Sequence, residues 1–330
     1  MHTPEHTIGI VGLGRMGGQL ALQAVEKDIT VIGYDPGNVT AEISASAIIR
    51  IDTLAAFREH LTPPRAIFLY VPAGPIIDQT IDKLIPHLDA HDSIIDGGNS
   101  YWGDSIRRYQ RLQAENIDFI DLGTSGGIAG ARSGACFMAG GEQEAVARIE
   151  PVLRKLAVTD GYVYAGPAGS GHFVKLVHNG IEFGMLQAIG EGVDLLSHYA
   201  DDLDIPAILH CWRHGSVIRS WLLDLMEEIY HAQGGLEQIP PHIEDTGEVN
   251  WLVTDALHME VAIPVITQSV LQLLASRDNT RNWARAIAMM RHGFGGHPFG
   301  PHPSIAQSRQ TERVGDYIRP DRSDQAETEH

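Results

Sequence analysis

The 330 residues are 43% hydrophobic and 20% charged, the profile of a soluble globular protein long enough for two ordinary cores, not of a disordered or fibrous chain. A formal charge of −18 argues against nucleic acid, whose binding needs clustered cations, and obliges any anionic ligand to be held by a local positive pocket. No apolar run reaches the roughly 18 residues of a membrane span, and MHTPEHTIGIVGLG lacks the charged-then-apolar order of a signal peptide, so a cytoplasmic location is expected. Cys136 and Cys211 have no CxxC spacing; buried thiols are the plain reading, with neither a disulfide framework nor a metal site expected.

Taken in chain order, the runs IGIVGL (8–13), TVIGYD (30–35), AIFLYV (66–71), SIIDGG (93–98) and FIDLGT (119–124) read as strands. Amphipathic stretches separate them, and this alternation predicts an α/β, Rossmann-like, doubly wound and mostly parallel sheet over residues 1–166. The Gly/Pro/Ser-rich YAGPAGSG (164–171) punctuates the chain, and strand signals nearly vanish after it. An all-helical domain is expected over 167–307, with Gly184, Gly190 and Gly192 marking close helix packing. The polar stretch 308–330 reads as a mobile tail.

Directly after the first strand come Gly12-Leu13-Gly14-Arg15-Met16-Gly17 and a helical run. At such a junction the first glycine permits the tight turn, the second lets backbone approach a pyrophosphate, and the third allows close helix packing. The next strand ends at Asp35, where a carboxylate can accept hydrogen bonds from ribose hydroxyls and would repel a 2′-phosphate; NAD is expected over NADP. A turn-forming residue before Pro36 and Gly37 is the lesser alternative for Asp35. Val71-Pro72-Ala73 at the end of the third run would pass beneath the cofactor, at the carboxyl edge of the sheet.

In GHFVKLVHNGIEFG (171–184), Lys175, His178, Asn179 and Glu182 share one helical face, where a core-facing helix would carry Leu, Ile or Val. Lysine is otherwise confined to Lys27, Lys83 and Lys155, which makes Lys175 an improbable surface decoration.

Together with the glycine loop, IIDGGNS (94–100), TSGGIAGAR (124–132), GSGHFVKLVHNGIE (169–182) and RHGFGGH (291–297) resemble the 6-phosphogluconate dehydrogenase family within the β-hydroxyacid dehydrogenases. The length and Asp35 resemble its shorter, NAD-preferring bacterial branch, and Lys175-Leu-Val-His178-Asn179 differs from the KxxNN of 3-hydroxyisobutyrate relatives. The resemblance implies oxidative decarboxylation of 6-phosphogluconate to ribulose 5-phosphate, with Lys175 moving the hydroxyl proton and Glu182 as the second acid. It implies that Asn99 touches both substrate and nicotinamide, that Ser125, Gly126 and Gly127 hold the carboxylate, and that His178 and Asn179 bind sugar hydroxyls. It also implies a homodimer, at least, in which Arg291 and His297 reach the substrate phosphate of the neighbouring subunit.

The phosphate end departs from the family pattern. Phe183 stands where a tyrosine is common, EDTGEVNW (244–251) lacks the lysine of long-form members, and Leu273 falls where an arginine is found. Arg213, Arg219 or Arg277 supplies replacement charge, or the substrate is an unphosphorylated sugar acid or another β-hydroxyacid. A regulatory NAD(H) sensor is the reading from a different class; it leaves the Lys175/Glu182 pair without a use.

Overall fold

The computed structural model describes residues 6–199 and 201–303. The tail expected over 308–330 lies outside them. Two compact units emerge: residues up to Ile181 with Thr246–Ala262, and Glu182–Asp245 with the described residues from Ile263 onward.

The first unit is built on an eight-stranded sheet of order β3-β2-β1-β4-β5-β6-β7-β8. Its strands are β1 (His6–Val11), β2 (Ile29–Tyr34), β3 (Ile49–Arg50), β4 (Ala66–Leu69), β5 (Ser93–Asp96), β6 (Asp118–Ser125), β7 (Ala135–Gly140) and β8 (Ala157–Gly166). Every neighbouring pair is parallel except β6 with β7. Successive side chains point to opposite faces, so Phe68, Ile95 and Ile120 enter one core while Ile67, Ile94 and Phe119 enter the other. Burial on both faces is why these strands read as unbroken apolar runs.

The helices of this unit are α1 (Gly17–Glu26), α2 (Ala41–Ala45), α3 (Phe57–His60), α4 (Pro75–Leu84), α5 (Trp102–Gln113), α6 (Gly127–Ser133), α7 (Gln143–Leu156) and the first turns of α8 (Ser170–Ser197). Strand order reverses between β1 and β4, the point at which open α/β sheets bind ligands beyond their carboxyl ends.

Three strands differ from the sequence expectation. β3 has two residues, too few for a periodic signal. β7 is ACFMAG, a run without a β-branched residue, and β8 is an exposed edge interrupted by Asp160, at φ 62°, and Gly161. Cys136, on the outward face of β7, and Cys211 are both exposed, which corrects the expectation of buried thiols.

The second unit is helical: the rest of α8, then α9 (Ile205–Arg213), α10 (Trp221–Gln233), α12 (Pro264–Arg277) and α13 (Asn282–Gly295), while α11 (Glu248–His258) belongs to the first unit. Val193, Ile205, Leu209 and Leu223 form its core. Asp204 and Ser220 start α9 and α10 by accepting the N–H groups of Ala207 and Leu223, donors that a helix start otherwise leaves unpaired. Gly190 and Gly192 face open space, where a Cβ would meet nothing within 4 Å, so close packing within the chain does not explain them.

Candidate active site

The start of α8 is fixed by a buried carboxylate. Asp121, 0% exposed on β6, accepts the N–H groups of Gly169 (2.7 Å) and His172 (2.8 Å), capping the helix from a distance in sequence. Small residues let the helix lie on the sheet: a Cβ on Gly171 would stand 2.4 Å from the Asp121 carbonyl oxygen, and one on Gly123 2.6 Å from Lys175 Cβ. The helix is thereby held with Lys175 above the end of β6.

Lys175 Nζ donates to Asn179 Oδ1, one turn along, and lies 3.3 Å from His178 Nδ1. His178 Nε2 is 3.0 Å from Ser125 Oγ, at the end of β6. Asn179, 5% exposed, donates through Nδ2 to Asn99 Oδ1 at 3.4 Å. The predicted Asn99, Ser125, Lys175, His178 and Asn179 thus form one connected polar network. Gly126 (φ 113°) and Gly127 (φ 60°) follow Ser125 into α6, a turn that a side chain would strain.

Lys175 and Asn99 line a cavity of about 650 Å³ with Met16, Val71, Pro72 and Ala73, all expected from sequence. Besides Gly74, Gly97 and Gly98, the wall includes Tyr70, Tyr101, Asp104 and Thr124 from the sheet side, and Thr246, Glu248 and Trp251 from α11 and the turn before it, none of them a site residue predicted from sequence. Among the described residues lining it, Lys175 is the cation and Asp104 and Glu248 are the carboxylates.

The glycine loop fits a dinucleotide on its own geometry. A Cβ on Gly12 would stand 2.3 Å from the Tyr70 carbonyl oxygen and one on Gly17 2.1 Å from that of Gly12, so the fold itself demands both. A Cβ on Gly14 would meet nothing within 4 Å; the protein does not need glycine there, whereas a close-lying pyrophosphate does. The first turn of α1 has no side-chain cap and no acidic residue; the Gly18 N–H turns back to the Gly14 carbonyl at 2.9 Å, and the helix dipole favours an anion at this end. Asp35 Oδ2 accepts the Leu13 N–H and Oδ1 the Gly37 N–H, each at 2.7 Å, so the carboxylate also ties the glycine loop to the end of β2. Leu13 turns its side chain into the core, while Arg15 is exposed.

Two loops beside the cavity hang on one buried guanidinium. Arg108, 1% exposed, donates to both oxygens of Asp78 at 3.0 Å and to the Gly74 carbonyl at 3.2 Å. Its Nη1 lies 3.5 Å from Asp96, whose carboxylate accepts the Gly98 N–H and the Ser100 hydroxyl. His172 connects this scaffold to α8, with Nε2 at 3.1 Å from the Asp96 carbonyl oxygen and Nδ1 at 2.7 Å from Ser105 Oγ. Sequence reasoning missed these groups, although Asp96 and Asp121 were visible as carboxylates inside apolar strands.

Residues 7–166 match the family described as the NAD binding domain of 6-phosphogluconate dehydrogenase, and residues 171–294 match its C-terminal domain. The chain belongs to the 6-phosphogluconate dehydrogenase family. It is 42% identical over 291 residues to a Bacillus subtilis (strain 168) protein provisionally named 6-phosphogluconate dehydrogenase, covering 88% of this chain and 98% of that one. To the NAD(+)-dependent, decarboxylating 6-phosphogluconate dehydrogenase of Haloferax volcanii it is 39% identical over 293 residues, with coverage of 88% and 97%. Its fold matches the Plasmodium falciparum 6-phosphogluconate dehydrogenase with a TM-score of 0.75 at 26% identity, covering 90% of this chain and 66% of that one. Among family members this chain therefore has an NAD-binding Rossmann half and the family's helical C-terminal half.

Glu182, Phe183, Arg291 and His297 belong to the second unit. Glu182 lies seven residues beyond Lys175 on the unbroken α8 and is half-buried. Arg291 is exposed on α13; His297 is half-buried, edge-on to Phe294 at 6.0 Å. Leu273 is buried in α12. Of the candidate replacement cations, Arg213 is paired with Asp224 and Glu227, Arg277 with Asp245, and Arg219 donates to the Ser216 carbonyl. Among the described residues no group of three or more His, Cys, Asp or Glu is placed to hold a metal, and no helix is long and apolar enough to cross a membrane.

Proposed function

We propose that the chain oxidises 6-phospho-D-gluconate at C3 and releases CO2, giving D-ribulose 5-phosphate, with NAD as the oxidant. The observation that carries this reading is the network joining Lys175, His178 and Asn179 of α8 to Asn99 and Ser125 at two strand ends. NAD, when bound, accepts the hydride. Neutral Lys175 takes the C3 hydroxyl proton as the hydride leaves, and its ammonium then returns that proton to the C3 oxygen as the C1 carboxylate departs as CO2, which leaves an enediol and a neutral amine. Glu182 then delivers a proton to the enediol carbon that carried the carboxylate, while neutral Lys175 takes the proton from the C3 oxygen as the product ketone forms. Ser125 with the Gly126 and Gly127 backbone orients the carboxylate, His178 and Asn179 bind hydroxyls, and Asn99 contacts both substrate and nicotinamide. The glycine loop from Gly12 to Gly17 and Val71-Pro72-Ala73 hold the dinucleotide, with Asp35 favouring NAD.

The division of labour follows the expected domains, an NAD-binding part over 1–166 and a substrate and dimerisation part over 167–307. A second copy of the chain is the partner that this reading assigns to α13, which buries none of its residues and exposes Trp283, Met289, Met290 and Phe294. Arg291 and His297 on this segment would then reach the neighbour's substrate phosphate. A cytoplasmic location accompanies a reaction that draws on NAD and a sugar phosphate.

A second reading, an unphosphorylated sugar acid, is favoured by Phe183, by buried Leu273, by the absence of lysine from 244–251, and by the carboxylates already paired with Arg213 and Arg277. Losing charge-assisted contacts to a phosphate costs about 1.5–3 kcal/mol each. Comparing kcat/KM for 6-phosphogluconate and gluconate with NAD separates the two: a preference for the phosphorylated acid supports the first reading, and equal values remove phosphate recognition from it.

A further inference from the structure

One carboxylate outside the proposed reaction is buried among aromatic rings. Asp255, 5% exposed on α11, accepts the Tyr101 hydroxyl at 2.9 Å through Oδ1 and the Trp102 indole N–H at 2.7 Å through Oδ2. Tyr101 packs edge-on to Trp251 of the same helix, with ring centroids 5.5 Å apart, and Trp102 packs edge-on to Phe173 at 5.8 Å. Phe173 lies on α8 two residues before Lys175. A row of rings therefore runs from the α11 wall, through the loop that carries Asn99, to the helix that carries Lys175, and Asp255 pins its middle. Burial, reinforced by Asp255, raises the Tyr101 phenol above its ordinary range, which keeps it a hydrogen-bond donor.

Tyr101, Trp251 and Asn99 all line the 650 Å³ cavity, together with Thr246 and Glu248 of the segment that Asp255 anchors. A cofactor lying over Val71-Pro72-Ala73, with Asn99 at its nicotinamide, would meet this wall with its nicotinamide half. We infer that Asp255 is a positioning residue whose two hydrogen bonds hold the α11 wall and the Asn99 loop at a fixed separation and so set affinity for the nicotinamide half of NAD. The inference rests on the NAD reading of the crevice and not on the identity of the sugar acid.

The test is calorimetric titration of the full-length protein with NAD, together with kcat at saturating substrates, for D255N, Y101F and the double variant. D255N keeps one acceptor and loses the other; Y101F removes a hydroxyl with no change of packing volume to speak of, so it remains informative should D255N fold poorly. The clasp requires each single variant to raise the Kd for NAD about fivefold, the scale of one lost hydrogen bond, with kcat/KM for NAD falling more steeply than kcat. It also requires the double variant to be no weaker than the weaker single one, because both act on one contact. A Kd within twofold of wild type in Y101F, or fully multiplicative effects in the double variant, would overturn the inference. Loss of kcat in proportion to a fallen active fraction at unchanged Kd would do the same, since it marks a purely structural role. Because titration with NAD needs no sugar acid, the result stands apart from the choice of substrate.

Discussion

Gly123 on β6 faces Lys175 on α8 so closely that a Cβ on the glycine would stand 2.6 Å from the lysine Cβ and 2.9 Å from the Gly171 carbonyl oxygen. Neither neighbour is a flexible tip, so G123A must lift α8 from the sheet. Overpacking of this kind costs about 1–3 kcal/mol. A displacement of the base by a fraction of an ångström should lower kcat at least about tenfold, with NAD affinity little changed because the glycine loop is untouched. Steady-state kinetics beside NAD titration checks this; a G123A enzyme of normal kcat would show that the close approach does not position Lys175.

Asn179 is the nearest handle on the base. Its Oδ1 accepts from Lys175 Nζ as a neutral partner. N179D would place a carboxylate there and favour the ammonium over the neutral amine that the proposed base needs. Activity at neutral pH should fall while the alkaline plateau is largely kept, so the pH profile of kcat/KM moves to higher pH. A profile that loses amplitude without moving would contradict the assignment of Lys175 as the titrating group.

Asp35 holds the Leu13 and Gly37 N–H groups, and the NAD reading gives the same carboxylate a second role, facing the adenosine ribose. D35S should retain a local acceptor while removing the negative charge. The ratio of kcat/KM with NADP to that with NAD should rise about tenfold, most of it through lower KM for NADP, since a repulsive charge has been taken from the 2′-phosphate. No change in the ratio would leave Asp35 as a turn residue alone.

Acid should expose the Arg108 scaffold. The Arg108 guanidinium holds the Asp78 carboxyl below the usual carboxylate range, the largest cause being their hydrogen bonds. A depressed carboxylate contributes stability that is fully present above its unfolded value, near 4, and is lost as pH falls through the lower folded value. R108M removes the cation, leaving Asp78 to Arg107 at 3.4 Å and buried Asp96 without its counter-charge, at about 3 kcal/mol or more near neutral pH. The Tm gap between wild type and R108M should narrow as pH is lowered from 7 to 3. A gap independent of pH would assign the loss to packing alone.

Much of this was legible in the sequence, for reasons that also explain the rest. The inner strands declare themselves because both faces are buried, as with Ile94/Ile95 and Phe119/Ile120. The exposed edge β8, with Asp160 and Gly161 in its middle, carries no such pattern. Lys175, His178 and Asn179 stand out because a helical period aligns polar groups where apolar ones belong. Their partners Ser125 and Asn99 are distant along the chain, and their side-chain pairing follows from the packing of α8 on β6 that glycines permit. The α11 wall was invisible for the same reason: Asp255 reaches Tyr101 and Trp102 only once a segment from the C-terminal half has joined the first unit.

The most direct test of the central claim, that Lys175 moves the protons of an oxidative decarboxylation, is to measure CO2 and NADH together when 6-phosphogluconate and NAD are added to wild type and to K175A. Wild type should release one CO2 per NADH, and K175A should lose turnover by about a factor of 100 to 10,000 while binding NAD nearly as well. NADH formed without CO2 by wild type, or K175A turning over at a comparable rate, would contradict the account.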